Sequence, residues 1–74
     1  MTYHSVKSSI ISSMGYDYEN KILEIELKRH NQTRQYFNVP TDLWIKLKNA
    51  NSTGKFFLKN IKDNFDELKL VSNK

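Results

Sequence analysis

Seventy-four residues, 38% of them apolar, allow one domain with a small core, and four Phe, four Tyr and one Trp must carry much of its burial. The absence of cysteine excludes disulfides and thiolate metal sites and fits a cytoplasmic protein; no signal-peptide h-region or membrane-spanning apolar run is present. Twelve Lys and Arg against eight Asp and Glu give a net charge of +4, which favours polyanionic partners.

Residues 1–7 show no period and read as a flexible lead-in to a single domain over 8–70, with 71–74 as a loose tail. Ser9 to Tyr16 alternates loosely, with Ile10, Ser12, Met14 and Tyr16 on one side and Ile11 on the other, and predicts a first strand. Asp17-Tyr18-Glu19-Asn20 predicts a turn, because Asp and Asn close turns through their own side-chain hydrogen bonds. Leu23, Ile25 and Leu27 alternate with Glu24, Glu26 and Lys28, the clearest period-two signal in the chain and a half-buried second strand. Arg29 to Gln32 forms the next turn, with Asn31 best suited to a left-handed backbone.

Thr33 to Val39 predicts a third strand, with Gln35, Phe37 and Val39 on one face and Arg34, Tyr36 and Asn38 on the other. Pro40 ends the sheet, since it cannot donate a ladder hydrogen bond. Thr41 caps a helix whose stripe is Leu43, Leu47 and Ala50, with Trp44 at its edge. Asn51-Ser52-Thr53-Gly54 breaks that helix, and Ser52 or Thr53 caps a second. The stripe Phe57, Leu58, Ile61, Phe65 and Leu68 falls within roughly 100° of helical arc. The expected fold is α+β, a three-stranded antiparallel β-meander followed by two α-helices packed on one face.

Catalytic chemistry finds no support. Nucleophilic catalysis needs a base beside the nucleophile, yet the histidines are His4 in the lead-in and His30 in a turn. Ser8 and Ser9 therefore read as hydroxyls that satisfy backbone groups, and Glu24 with Glu26 as solubilising charges on a strand face. No His, Asp or Glu cluster has metal-ligand spacing. Gly54-Lys55 lacks the upstream glycine of a phosphate-binding loop, since position 49 is Asn. The expectation is a non-catalytic module without cofactor or metal.

Binding has more candidates. The first turn of the second helix, Ser52, Thr53 and Gly54 followed by Lys55, offers free N–H groups to an anion. The bland alternative is a cap with a glycine needed for tight packing. Lys55, Lys59, Lys62 and Lys69 share the side of that helix opposite its apolar stripe, where they suit phosphates. Lys46 and Lys48 add charge on the first helix, while Asp63 and Asp66 offset part of the field. An ordinary solvated face would look the same. Arg34 and Tyr36 share a strand face and suit stacking on an unpaired base, unless Tyr36 packs between sheet and helices. Ile45 and Phe56 lie off their stripes and suit a protein contact, unless Phe56 packs on the inter-helix loop. The leading reading is nucleic-acid binding, RNA favoured, by a monomer or weak homodimer. The second is a protein-binding accessory or inhibitor of the kind that phages or mobile elements encode.

Several of these residues together resemble the KTSC family, named for an appendage at the C-terminus of some lysyl-tRNA synthetases. The matching pieces are Ser8-Ser9, Gly15-Tyr16-Asp17, Leu23-Glu24-Ile25, Tyr36 ahead of Val39-Pro40, then Ala50, Ser52 and Gly54 with Phe56-Phe57, and Ile61-Lys62 with Phe65. They span about residues 6–66. The resemblance implies a stand-alone module and points to RNA as its partner. One departure is Arg34, which replaces the first ring of the family's Tyr-x-Tyr. A guanidinium can also stack on a base; if the family pair is structural instead, Arg34 should be exposed. The turn glycine between the second and third strands is also missing, with Asn31 in its place.

Overall fold

The contrast between Leu23 and Ile25 on one side and Glu24 and Glu26 on the other becomes strand β3, Ile22–Leu27, at the centre of a five-stranded antiparallel sheet. In the computed structural model, which describes residues 2–29 and 32–71, the sheet order is the chain order. Its other strands are β1 Thr2–Ser5, β2 Ile11–Asp17, β4 Gln32–Tyr36 and β5 Glu67–Val71. Helices α1, Thr41–Lys48, and α2, Thr53–Asn60, stand between β4 and β5 and cover one face. His30 and Asn31 of the expected turn and residues 72–74 of the expected tail lie outside the described residues.

The α+β class with an antiparallel sheet and two helices agrees with the sequence, but the sheet has five strands and not three. Thr2–Ser5, expected as a flexible lead-in, pairs with β2. Glu67–Val71, expected as the end of the second helix and the first residue of the loose tail, pairs with β4. The second helix stops at Asn60: the Ile61 and Lys62 N–H groups both donate to the Phe57 carbonyl, and Asp63 adopts φ 68°. That reversal sends the chain back to the sheet edge.

Two rows of cross-strand neighbours face the helices. One runs Tyr16, Leu23, Tyr36, Glu67 and the next His4, Met14, Ile25, Arg34, Lys69. The opposite face carries Tyr3, Gly15, Glu24, Gln35, Leu68 and, beside them, Ser5, Ser13, Glu26, Thr33, Leu70. Gly15 lets the Tyr3 ring cross over it, so that the Tyr3 hydroxyl donates to Glu24 two strands away.

Two local irregularities decide which side chains reach the core. The β2–β3 register shifts between Ile11 and Ser13, and this bulge turns Ile11 to the side of Met14 and Tyr16. Ile10, which simple alternation places there, is only half-buried. Similarly, β4 ends at Tyr36 and Asn38 takes φ 60°, so Tyr36 and Val39 are both buried despite their opposite parity. At the start of α1 the cap position is Pro40, and Thr41, expected as the cap, is the first helical residue. Its hydroxyl lies 3.3 Å from that of Tyr16.

Trp44, expected at the edge of the stripe, is fully buried on α1. Its ring stacks on Tyr16 at 5.4 Å and 9°, and its N–H donates to the Tyr18 hydroxyl at 3.0 Å. Phe57 and Ile61 are the buried part of the second stripe, while Leu58 is exposed and Leu68 lies on the outer face of β5. Trp44, Tyr36 and Phe57 are the largest fully buried side chains. Truncating one to Ala would cost about 3–5 kcal/mol, a large share of the 5–15 kcal/mol or so that holds a small domain folded.

Candidate nucleic-acid interface

The segment between β1 and β2 carries the serine pair over the start of α2. The Ser8 oxygen accepts the N–H groups of Ile10 at 3.1 Å and Ile11 at 3.3 Å, which fixes the loop. Gly54 packs directly beneath it: a β-carbon there would lie 2.8 Å from the Ser8 oxygen and 3.5 Å from the Ile10 side chain. Ser52 is the N-cap of α2 and accepts the Lys55 N–H at 3.4 Å. Of the expected anion seat, then, Ser52 caps, Thr53 is half-buried, and Gly54 is buried against the serine loop. The space that Gly54 leaves free belongs to Ser8.

Three concavities follow one another along this segment. One lies between His4–Lys7 and residues 48–53, with Lys7 and Lys48 in its lining. The second shares Lys7, Asn51 and Thr53 with it and adds Ser8, Ser9 and Lys55. The third shares Ser9 and Ile10 with the second, has a volume of about 630 Å³, and is lined also by Leu27, Arg29, Gln32, Arg34 and Lys62. Neighbours share walls, so the three adjoin in a row, a trough that runs from β1 to β4. Among the described residues, six cationic side chains border it and no Asp or Glu does. Four carboxylates stand elsewhere, Glu24 and Glu26 on the outer sheet face and Asp63 and Asp66 around a separate hollow with Phe37 and Phe65, while Glu67 lies 3.4 Å from Arg34.

Arg34 is held at the floor of the third concavity. Its side chain is 17% exposed; Nη1 lies 3.4 Å from a Glu67 oxygen and Nη2 donates to Gln32 at 3.3 Å. Nε is buried and has no hydrogen-bond partner among the described residues. The same Glu67 oxygen accepts the Tyr36 hydroxyl at 2.5 Å, and the Tyr36 ring meets Phe57 edge-on at 5.6 Å. Burial first, and the Glu67 carboxylate second, push the Tyr36 phenol well above its ordinary pKa, so it remains a neutral donor.

This corrects the stacking surface expected from Arg34 and Tyr36. Tyr36 is 0% exposed and belongs to the core, so it cannot receive a base. Arg34 is not exposed either, as a structural pair would require, because β5 brings Glu67 to it. Sequence reasoning lacked that strand and so lacked the partner.

The expected lysine face is divided. Lys55 and Lys59 are exposed on α2, Lys62 lies past its end, and Lys69 is on β5 opposite Arg34. Lys55 and Lys62 border the trough; Lys59 and Lys46 border none of its three parts. Lys48 reaches over the Trp44 ring, 5.7 Å from its centre. Ile45 is 43% exposed, whereas Phe56 is half-buried and packs against the core cluster. Arg29 and Lys7 were missed. Arg29 had one available signal: a hairpin joining β3 to β4 places it near Arg34.

Among the described residues no three His, Asp or Glu side chains assemble as metal ligands, and no helix is long and apolar enough to cross a membrane. A comparison with curated proteins gives no match. The KTSC domain family model matches residues 7–65. The fold is similar to the crystal structure of a KTSC domain protein from Yersinia pestis, with 38% sequence identity, a TM-score of 0.88, and coverage of 93% of this chain and 96% of the other. The match takes in the serine loop, the central strands, both helices and the Gly54 contact, so the chain belongs to the KTSC domain family.

Proposed function

We propose that this chain is a non-catalytic module that binds single-stranded RNA along the trough between β1 and β4. The observation that carries this reading is the separation of charge: six Lys and Arg side chains border three adjoining concavities whose lining, among the described residues, holds no Asp or Glu, although Glu67 pairs with Arg34 at 3.4 Å. A phosphodiester backbone supplies a regular line of negative charge to such a groove, and a single strand can follow its bend. RNA is preferred over duplex DNA because a two-turn helix half-sunk against a serine loop presents no recognition helix to a major groove. Its cysteine-free composition suits a reducing cytoplasm.

The test is a titration of a labelled mixed-sequence RNA oligonucleotide at several salt concentrations, followed by anisotropy. Log affinity should fall steeply with log salt, and Lys55→Glu with Lys62→Glu should abolish binding. Absence of binding at low salt, together with a protein that co-purifies from host lysate after nuclease treatment, would favour the protein-accessory reading instead. In that case the exposed Leu68 and Leu70 on the outer face of β5, or Ile45 on α1 across the molecule, supply the apolar contact.

A further inference from the structure

The cations are not spread evenly along the trough. Its first two parts hold two Lys side chains each, sharing Lys7, whereas the third gathers Arg29, Arg34 and Lys62 around one concavity. A phosphodiester brings a single negative charge to such a place. A terminal phosphomonoester brings about −1.5 to −2 at neutral pH and three terminal oxygens. Two guanidinium groups can fork onto those oxygens in a way that ammonium groups cannot. Arg34 also has donors to spare: Glu67 and Gln32 take one contact each from Nη1 and Nη2, at 3.4 and 3.3 Å, which leaves each of these nitrogens a second N–H. Ile10 and Leu27, both half-buried, add an apolar wall for the sugar and base next to the phosphate.

From this we infer that the Arg29–Arg34–Lys62 pocket binds a phosphomonoester, the phosphorylated end of an RNA strand whose remaining nucleotides lie along Lys55, Lys7 and Lys48. The inference rests on the RNA reading above and adds an end to it. Arg34 is the fixed member, because β3, β4 and β5 place it. Arg29 and Lys62 are exposed and close on the anion from either side.

Three versions of one 12-nucleotide RNA test this, carrying a 5′-phosphate, a 3′-phosphate or hydroxyls at both ends, with AMP and inorganic phosphate as free competitors. One phosphorylated end should bind about tenfold more tightly than the hydroxyl form, and AMP should compete. The preference should fade as pH falls below about 6, where the monoester loses its second charge. The double variant Arg29→Ala/Lys62→Ala, altered only at exposed positions, should lose that preference, so that phosphorylated and hydroxyl-ended strands bind it with equal, reduced affinity. Equal affinity for all three strands would overturn the end pocket and leave the RNA reading standing. Binding of AMP without binding of any strand would keep the phosphomonoester pocket, assign it to a small nucleotide and overturn the RNA track. No binding of any probe would overturn both.

Discussion

A β-carbon on Gly54 would stand 2.8 Å from the Ser8 hydroxyl oxygen, closer than real side chains approach. The oxygen cannot swing aside without releasing the Ile10 and Ile11 N–H groups it accepts. Gly54→Ala therefore sets two effects against each other. Alanine favours the helix by about 1 kcal/mol, while overpacking at a fixed contact costs about 1–3 kcal/mol. Net destabilisation is expected in a urea titration. Ser8→Ala should also destabilise, by about 1 kcal/mol for the missing loop acceptor, but it removes the obstacle. The two changes should be coupled by at least about 0.5 kcal/mol, with the double variant more stable than the sum predicts. Strict additivity would mean that the contact does not govern the glycine.

Glu67 joins stability to binding with opposite signs. It accepts the Tyr36 hydroxyl and balances Arg34, so Glu67→Gln should lower the melting temperature, and Tyr36→Phe should cost about 1–2 kcal/mol. Yet Glu67 also competes with any phosphate for Arg34. Glu67→Gln should therefore tighten RNA binding severalfold while the fold weakens. A variant that loses stability and affinity together would show that Arg34 serves the fold alone.

The legible parts of this chain are those where local contrast is strong. Leu23, Glu24, Ile25 and Glu26 name a strand by alternation, and Asp17 to Asn20 name a turn by their side chains. β1 is hidden because its residues combine no clear alternation with an edge position, where backbone pairing supplies most of the support. β5 is hidden for a different reason. Phe65 and Leu68 extend the helical spacing of Phe57 and Ile61, while Leu68 and Leu70 alternate equally well against Glu67 and Lys69. Asp63 decides between the two by adopting a positive φ, and an Asp in a charged run gives no sign of that. The site shows the same division. Lys55, Lys62 and Arg34 stand out as cations, but the trough that unites them with Arg29 and Lys7 exists only once the strands are paired.

Asp17 gives a pH prediction. Its carboxylate accepts the N–H groups of Glu19 at 3.0 Å and Asn20 at 3.2 Å, and the Asn20 side-chain amide at 2.9 Å. The Asn20 side-chain bond first, then the Asn20 backbone bond, hold its pKa below the ordinary 3.8. A lowered folded pKa means that the unfolded chain binds the proton first. The contribution is thus complete above 3.8 and is lost as pH falls through the lower folded value. Asp17→Asn, which keeps one acceptor oxygen but no charge, should melt below the parent at pH 7 and converge with it in strong acid. A constant gap across the acid range would contradict the assignment.

Position, rather than total charge, should govern binding, and three charge reversals separate the two. Lys55→Glu, Lys62→Glu and Lys46→Glu each lower the net charge of +4 by two, and all three side chains are exposed. Lys55 and Lys62 border the trough; Lys46 does not. Each phosphate of a single strand that the protein no longer neutralises should reduce the salt slope by about 0.7. Lys55→Glu and Lys62→Glu should each show that reduction with an affinity loss of about tenfold or more. Lys46→Glu should leave the slope unchanged and weaken binding only through the long-range field, an effect that fades near physiological salt as the screening length falls to about 8 Å. Equal losses in all three would leave only the general attraction of a basic surface, and the trough would then have no privileged place in it.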